Sequence, residues 1–227
     1  MTPQIRRELE AKADPMYLAK IRELVPGNLK IIGVRVPAIR ALARQHAELG
    51  IEDVGVAFER RCREEMLLGV FVLARSRKRL TPELWAHVDA WIDAIDNWEV
   101  CDQLAMNVAA PIVAKKPALA RVLVTWARAK NPWRRRFALA CAAALNQGGR
   151  RFPAEALAVC AEVLADEDPS VRKAAGWALR ETCKTDAAAV FALLKSRRAS
   201  IHPQVFREGS EKLPPAKRAE LLRSETR

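Results

Sequence analysis

Trp98 and Asp102 stand four residues apart in the stretch Asp96-Asn97-Trp98-Glu99-Val100-Cys101-Asp102, so they share one face of any helix that begins at Asn97. Two further clusters fall at the starts of the next helical units. One is Asn131-Pro132-Trp133-Arg134-Arg135-Arg136; the other is Val171-Arg172-Lys173, followed by Gly176-Trp177-Ala178-Leu179-Arg180-Glu181. Arginines at helix starts oppose the macrodipole, which suggests that an anion such as phosphate compensates them. A carboxylate ringed by aromatic and cationic side chains points to a site that handles DNA and does chemistry on it. Each piece alone has a plainer explanation. A single Asp near a helix start is ordinarily a capping or dipole carboxylate, and tryptophans are ordinarily core anchors. It is the coincidence on successive units that favours function.

Composition agrees with this. Lys and Arg number 39 against 27 Asp and Glu, a formal charge of +12 with a pI near 10.0, which would draw in a polyanion. Hydrophobic residues make up 50% of the 227, while Gly (9) and Tyr (1) are scarce, which suits helices and is poor for sheets. Five cysteines, at 62, 101, 141, 160 and 183, show no CxxC pair and no metal-ligand spacing with histidine. We expect a reducing, cytoplasmic setting. No apolar run approaches the ~18–20 residues of a membrane span, and no P-loop, dinucleotide fingerprint or nucleophile elbow is present. His46, His87 and His202 have no partner at useful spacing and receive no role.

The elements that must position these residues are repetitive. Pro82, Pro117 and Pro153 are spaced 35 and 36 apart, and Trp91 and Trp126 are 35 apart. Each unit reads as a first amphipathic helix, a polar break and a second helix. The breaks are Asp96-Asn97, Asn131-Pro132 and Asp168-Pro169, where Asn or Asp before Pro signals a helix start in the last two. Upstream, helical segments are expected near 3–24, 36–48, 52–60 and 63–77; downstream, 186–196, 201–208 and 214–224 read as a degenerate closing cap. A period in the mid-thirties built from two helices predicts an all-α fold: an α-α superhelix, a HEAT-like repeat solenoid of one domain over 1–227, with a concave basic groove lined by the second helices. With Val100 and Leu104 facing the core, Trp98 and Asp102 would look outward into that groove.

The chain resembles the DNA alkylation repair proteins of the AlkD type, HEAT-like-repeat DNA glycosylases. The resemblance covers most of the chain and is clearest from Asp96 to Lys184. In that family a tryptophan and an essential aspartate are four residues apart, matching Trp98 and Asp102. A phosphate-side arginine three residues after a tryptophan matches Trp133 and Arg136, and a second lesion-side tryptophan in a Gly-Trp-x-Leu-Arg-Glu segment matches Trp177. Gly33-Val34-Arg35-Val36-Pro37-Ala38-Ile39-Arg40 is similar to the family's early GxxxPxxR segment. Where the family often has aromatics before the second-tryptophan helix, this chain has Pro169-Ser170. A family tyrosine in the first helical pair is matched by Tyr17 only with a shift, Leu24 being the ungapped counterpart. These departures bear on substrate range more than on reaction type.

The resemblance implies excision of N-alkylated purines such as 7-methylguanine and 3-methyladenine from double-stranded DNA. Alkylation at N7 or N3 makes the base cationic and a good leaving group, so the enzyme has mainly to stabilise the oxocarbenium-like sugar. Asp102 would do that and orient the attacking water. Trp98 and Trp177 would pack against the deoxyribose with their π-faces towards the developing cation. Arg136, helped by Arg134 or Arg135, would hold flanking phosphates, with Trp133, Arg172 and Lys173 in the same DNA-binding set. No metal or other cofactor, no Schiff-base lysine and no membrane is implied, and a monomer is expected. A non-catalytic HEAT-like protein that binds damaged or structured DNA is the alternative, and a protein-interaction solenoid the third.

Overall fold

A computed structural model describes residues 1–223. Among the described residues the secondary structure is helical, and the sole β feature is an isolated bridge between Lys30 and Cys62. The helices fall into two compact units, the first Met1–Lys115 and the second beginning at Lys116.

In the first unit the helices are α1 (Pro3–Glu10), α2 (Pro15–Leu24), α3 (Val36–Gln45), α4 (Ile51–Glu59), α5 (Arg63–Arg75), α6 (Trp85–Ile92), α7 (Trp98–Leu104) and α8 (Ala110–Lys115). The segment expected near 3–24 is thus two helices. Asp14 breaks it by accepting from the backbone N–H groups of Met16 and Tyr17, with Pro15 at the first helical position. One layer runs α3–α5–α7 and the other α4–α6. Phe58 of α4 stacks on Trp91 of α6 with ring centroids 5.1 Å apart. Between α7 and α8 the helix widens into a π turn, Ala105–Ala109, in which the N–H of Ala110 donates to the carbonyl of Ala105. Pro111 accounts for it. A proline ring inside a helix clashes with the carbonyl four residues back, here Asn107, and a widened turn relieves the clash.

The second unit contains α9 (Ala120–Ala127), α10 (Pro132–Ala144), α11 (Pro153–Ala161), α12 (Pro169–Cys183), α13 (Ala187–Ser196), α14 (Pro203–Gly209) and α15 (Pro215–Arg223). Outer helices α9, α11, α13 and α15 pack in succession, as do inner helices α10, α12 and α14. Helices α7, α10 and α12 start as the sequence signals: the side chains of Asn97, Asn131 and Asp168 accept from the backbone N–H groups of Val100, Trp133, and Ser170 with Val171. A fourth start goes beyond the sequence reading. His202, assigned no role, caps α14 by accepting from the N–H of Gln204 through Nδ1, at 3.1 Å, ahead of Pro203. The expected closing cap is therefore a further repeat in the same register. Trp126 lies edge-on to Phe137 at 5.8 Å. Burying each such aromatic contributes roughly 1.5–3 kcal/mol.

All five cysteines are buried and none is in a disulfide. Burial pushes the Cys160 thiol up to about 12, as expected of packing residues rather than reactive thiols. Among the described residues no helix is long and apolar enough to cross a membrane.

Candidate functional site

In the first unit the site is built on α7. Val100 and Leu104 are fully buried, as the helical face requires, but so is Cys101, and Glu99 is buried too. Asp102 is only 9% exposed, while Trp98 is 39% exposed. The expectation that both look outward thus holds for the indole, and the carboxylate sits almost withdrawn from solvent. The indole N–H of Trp98 donates to the Leu24 carbonyl at 2.9 Å, which fixes the ring against the end of α2. The contact is to the Leu24 backbone, so it does not depend on which side chain stands there. Tyr17 lies with its ring centroid 4.6 Å from the Arg35 guanidinium and its hydroxyl towards Arg63.

What keeps α7 in place was invisible to sequence spacing. The Arg63 side chain is fully buried and pairs with both oxygens of Glu99, Nε to Oε2 at 2.6 Å and Nη2 to Oε1 at 3.0 Å. It also donates to the Val34 carbonyl at 3.2 Å, to Glu64 at 2.8 Å and to the Tyr17 hydroxyl at 3.4 Å. Glu64 in turn accepts from the backbone N–H groups of Ile32, Gly33 and Val34. Desolvation opposes the charge on Arg63, but hydrogen bonding and attraction to Glu99 outweigh it and push its pKa up. Gly33 can join this cradle because it adopts φ +95 and because a Cβ there would meet the Cβ of Leu18 at 2.7 Å. Glu99 lies between Trp98 and Asp102 in the chain, so the network sets the register of both.

In the second unit the predicted residues occupy the starts of α10 and α12. Trp133 and Arg134 are half-buried, and the Arg134 guanidinium lies 5.6 Å from the Trp126 ring centroid. Arg135 is spent within the protein. It forms a bidentate pair with Asp166 at 2.7 and 3.1 Å and donates to the carbonyls of Ala129 and Lys130, so it shapes the loop before α10 rather than offering its fork to a ligand. Arg136 is 6% exposed and donates to the Ser170 carbonyl at 2.7 Å, tying α10 to the first turn of α12. Arg172 donates to Gln204 and to the Glu167 carbonyl, while Lys173 is exposed. Trp177 is half-buried on α12 beside Gly176, where a Cβ would meet the Cβ of Glu208 at 2.6 Å. The glycine of the Gly-Trp pair is what lets α14 approach α12.

Among the described residues no group of three or more His, Cys, Asp or Glu side chains is placed to hold a metal ion. The arrangement offers a buried carboxylate next to an aromatic face in one unit and cationic and aromatic helix starts in the other.

The family model for "DNA alkylation repair enzyme" matches residues 5–213. Among solved structures, a predicted DNA alkylation repair enzyme from Enterococcus faecalis is similar, with a TM-score of 0.73 over 90% of this chain and 98% of that one. At 19% identity, that likeness speaks for a shared all-α helical-repeat fold. No curated protein matches. With a family match that spans nearly the whole chain, this protein belongs to the DNA alkylation repair family.

Proposed function

We propose that the protein is a monofunctional DNA glycosylase that removes cationic N-alkylated purines, 7-methylguanine and 3-methyladenine among them, from duplex DNA by hydrolysing the N-glycosidic bond. The observation that carries this reading is Asp102: a carboxylate 9% exposed, one helical turn from a half-exposed tryptophan, on a helix locked in place by Arg63 and Glu99. As the bond breaks, positive charge grows on the deoxyribose. A carboxylate with little water around it favours that charge strongly and needs no reorganisation. The departing base leaves neutral because alkylation has already made it cationic, so no general acid is called for. Water oriented by Asp102 attacks the anomeric carbon, and the proton it sheds passes to the Asp102 carboxylate and on to solvent, which leaves a sugar hydroxyl and the neutral base. Trp98 adds its π-face to the sugar, and Trp177 the same on the resemblance. Arg136, Arg134, Trp133, Arg172 and Lys173 grip the phosphate backbone, while Arg135 keeps its internal role. Five buried thiols fit a reducing cytoplasm, where the protein acts as a monomer.

The test is release of methylated purines from N-methylated duplex DNA, with wild type beside Asp102→Asn. We expect release by wild type and a loss of at least ~10²-fold in the variant, in line with removal of one strong electrostatic group from an active site. Equal release by both would take the chemistry away from Asp102. DNA binding without release by either would leave a non-catalytic damaged-DNA binder.

A further inference from the structure

The GxxxPxxR segment ends in Arg40. Arg40 lies on α3 and is exposed. Its guanidinium carbon sits 3.9 Å from the ring centroid of Phe71 on α5, and its Nη2 donates to the side-chain oxygen of Gln103 on α7 at 3.2 Å. Gln103 is itself fixed from the π turn. The Asn107 amide reaches back to its backbone carbonyl at 2.8 Å and to the same side-chain oxygen at 3.0 Å. Helices α3, α5 and α7 thus hold one exposed guanidinium flat and aimed, and its partner Gln103 directly follows Asp102 in the chain.

Arg40 is held in place without a counter-charge, unlike several arginines of this unit that are held by ion pairs. Arg6, Arg35, Arg61 and Arg63 each pair with a carboxylate. No carboxylate among the described residues pairs with Arg40; its contacts are an aromatic face and an amide. An exposed arginine ordinarily keeps its rotamer freedom and gives it up on binding an anion. Here stacking and the Gln103 bond have already removed it, while the remaining N–H donors of the fork stay unused by any carboxylate. Fixing a cation without a counter-charge lowers stability slightly and lowers the entropic cost of binding an anion.

We propose that Arg40 is a preorganised phosphodiester-binding residue that holds the DNA backbone beside Asp102, with Gln103 and Asn107 as the residues that aim it. The proposal rests on the reading of DNA as the substrate. It gives the first unit a backbone grip of its own, tied to α7 at the residue after Asp102, so that a shift in the grip would carry over to the helix that holds the carboxylate.

The test is binding to a methylated duplex followed by fluorescence anisotropy across a series of salt concentrations. Arg40→Gln should weaken binding on the order of 10-fold, as loss of a hydrogen bond to a charged group does. It should also reduce the slope of log K against log salt by about 0.9, the signature of one lost phosphate contact. Gln103→Leu keeps the charge but frees the guanidinium; it should weaken binding about 3-fold with the slope unchanged. A residue that only tied α3 to α7 would lower the melting temperature in Arg40→Gln and leave the slope as it was, which would overturn the proposal. If wild type binds and Arg40→Gln binds with equal affinity and slope, this proposal alone fails. If wild type does not bind DNA at any salt concentration, the substrate reading and the proposal fail together.

Discussion

At the scale of single residues, the contrast between Trp98–Asp102 and Arg63 shows what a sequence can display. A four-residue spacing is local, and any helix turns it into a shared face. Arg63 has partners 29, 36 and 46 residues away, and its neighbours Glu64 and Glu65 look like an ordinary acidic first turn. Nothing in that pattern announces a fully buried guanidinium. Its energetic weight follows from burial. Removing one member of a desolvated ion network leaves the others charged without compensation, at a cost of about 3–5 kcal/mol. Arg63→Met, which keeps most of the volume, should therefore lower unfolding stability by about that amount in urea titrations and abolish base release by loosening α7. A loss below about 1 kcal/mol would mean that solvent reaches Glu99 and that the network matters little. Arg135 marks the opposite error of sequence reading: three consecutive arginines look alike, and only the fold shows that the middle one is committed to Asp166.

At the scale of elements, cap chemistry was legible where Asn or Asp stood at a break between helical units, and it was missed where another residue did the same work or where the break was hidden. His202 caps α14 through a ring nitrogen, a residue type with no strong cap preference. The Asp14-Pro15 signal was of the same kind as those at residues 131 and 168, yet the apolar pattern across 3–24 hid it. The π turn was not legible either, although Pro111 is its cause. Contacts between α1 and α3 supply a pH-dependent tie. His46 on the end of α3 lies 2.6 Å from Glu8 of α1 and 3.3 Å from Glu48. Burial pulls its pKa down, but the hydrogen bonds to the two carboxylates outweigh that and raise it above 6.5. The Glu8 carboxylate is correspondingly lowered by His46. A histidine whose folded pKa exceeds its unfolded one stabilises fully below the unfolded value and loses that contribution as pH rises through the folded value. The melting temperature should thus fall as pH rises beyond about 6.5 in wild type, and His46→Gln should flatten that part of the profile. Parallel profiles for the two proteins would show that the pair is screened by solvent.

At the scale of the molecule, the +12 charge that suggested a polyanion is not spread evenly. Residues 1–115 hold 17 Lys and Arg against 16 Asp and Glu, whereas residues 116–227 hold 22 against 11. The unit that carries Asp102 is nearly neutral, and the unit that carries the Trp-Arg helix starts supplies almost the whole field. Such a division is compatible with the proposed chemistry, because long-range attraction of a phosphate backbone needs only that the field exist somewhere on the protein. Single residues did not show this partition, because each half contains arginines in quantity; the difference lies in the acidic residues that neutralise them. The division predicts where association rates are sensitive. Lys130 and Lys173 are exposed in the basic unit, and Arg7 and Arg44 in the neutral one. Replacing each pair by glutamine removes the same total charge. Measured by stopped-flow against a fluorescent duplex at low salt, the Lys130→Gln, Lys173→Gln variant should lose about 3-fold or more in association rate, and the Arg7→Gln, Arg44→Gln variant distinctly less, the two converging as salt screens the field. Equal losses at low salt would mean that the duplex feels only the net charge, and the assignment of the backbone grip to the second unit would lose its electrostatic support.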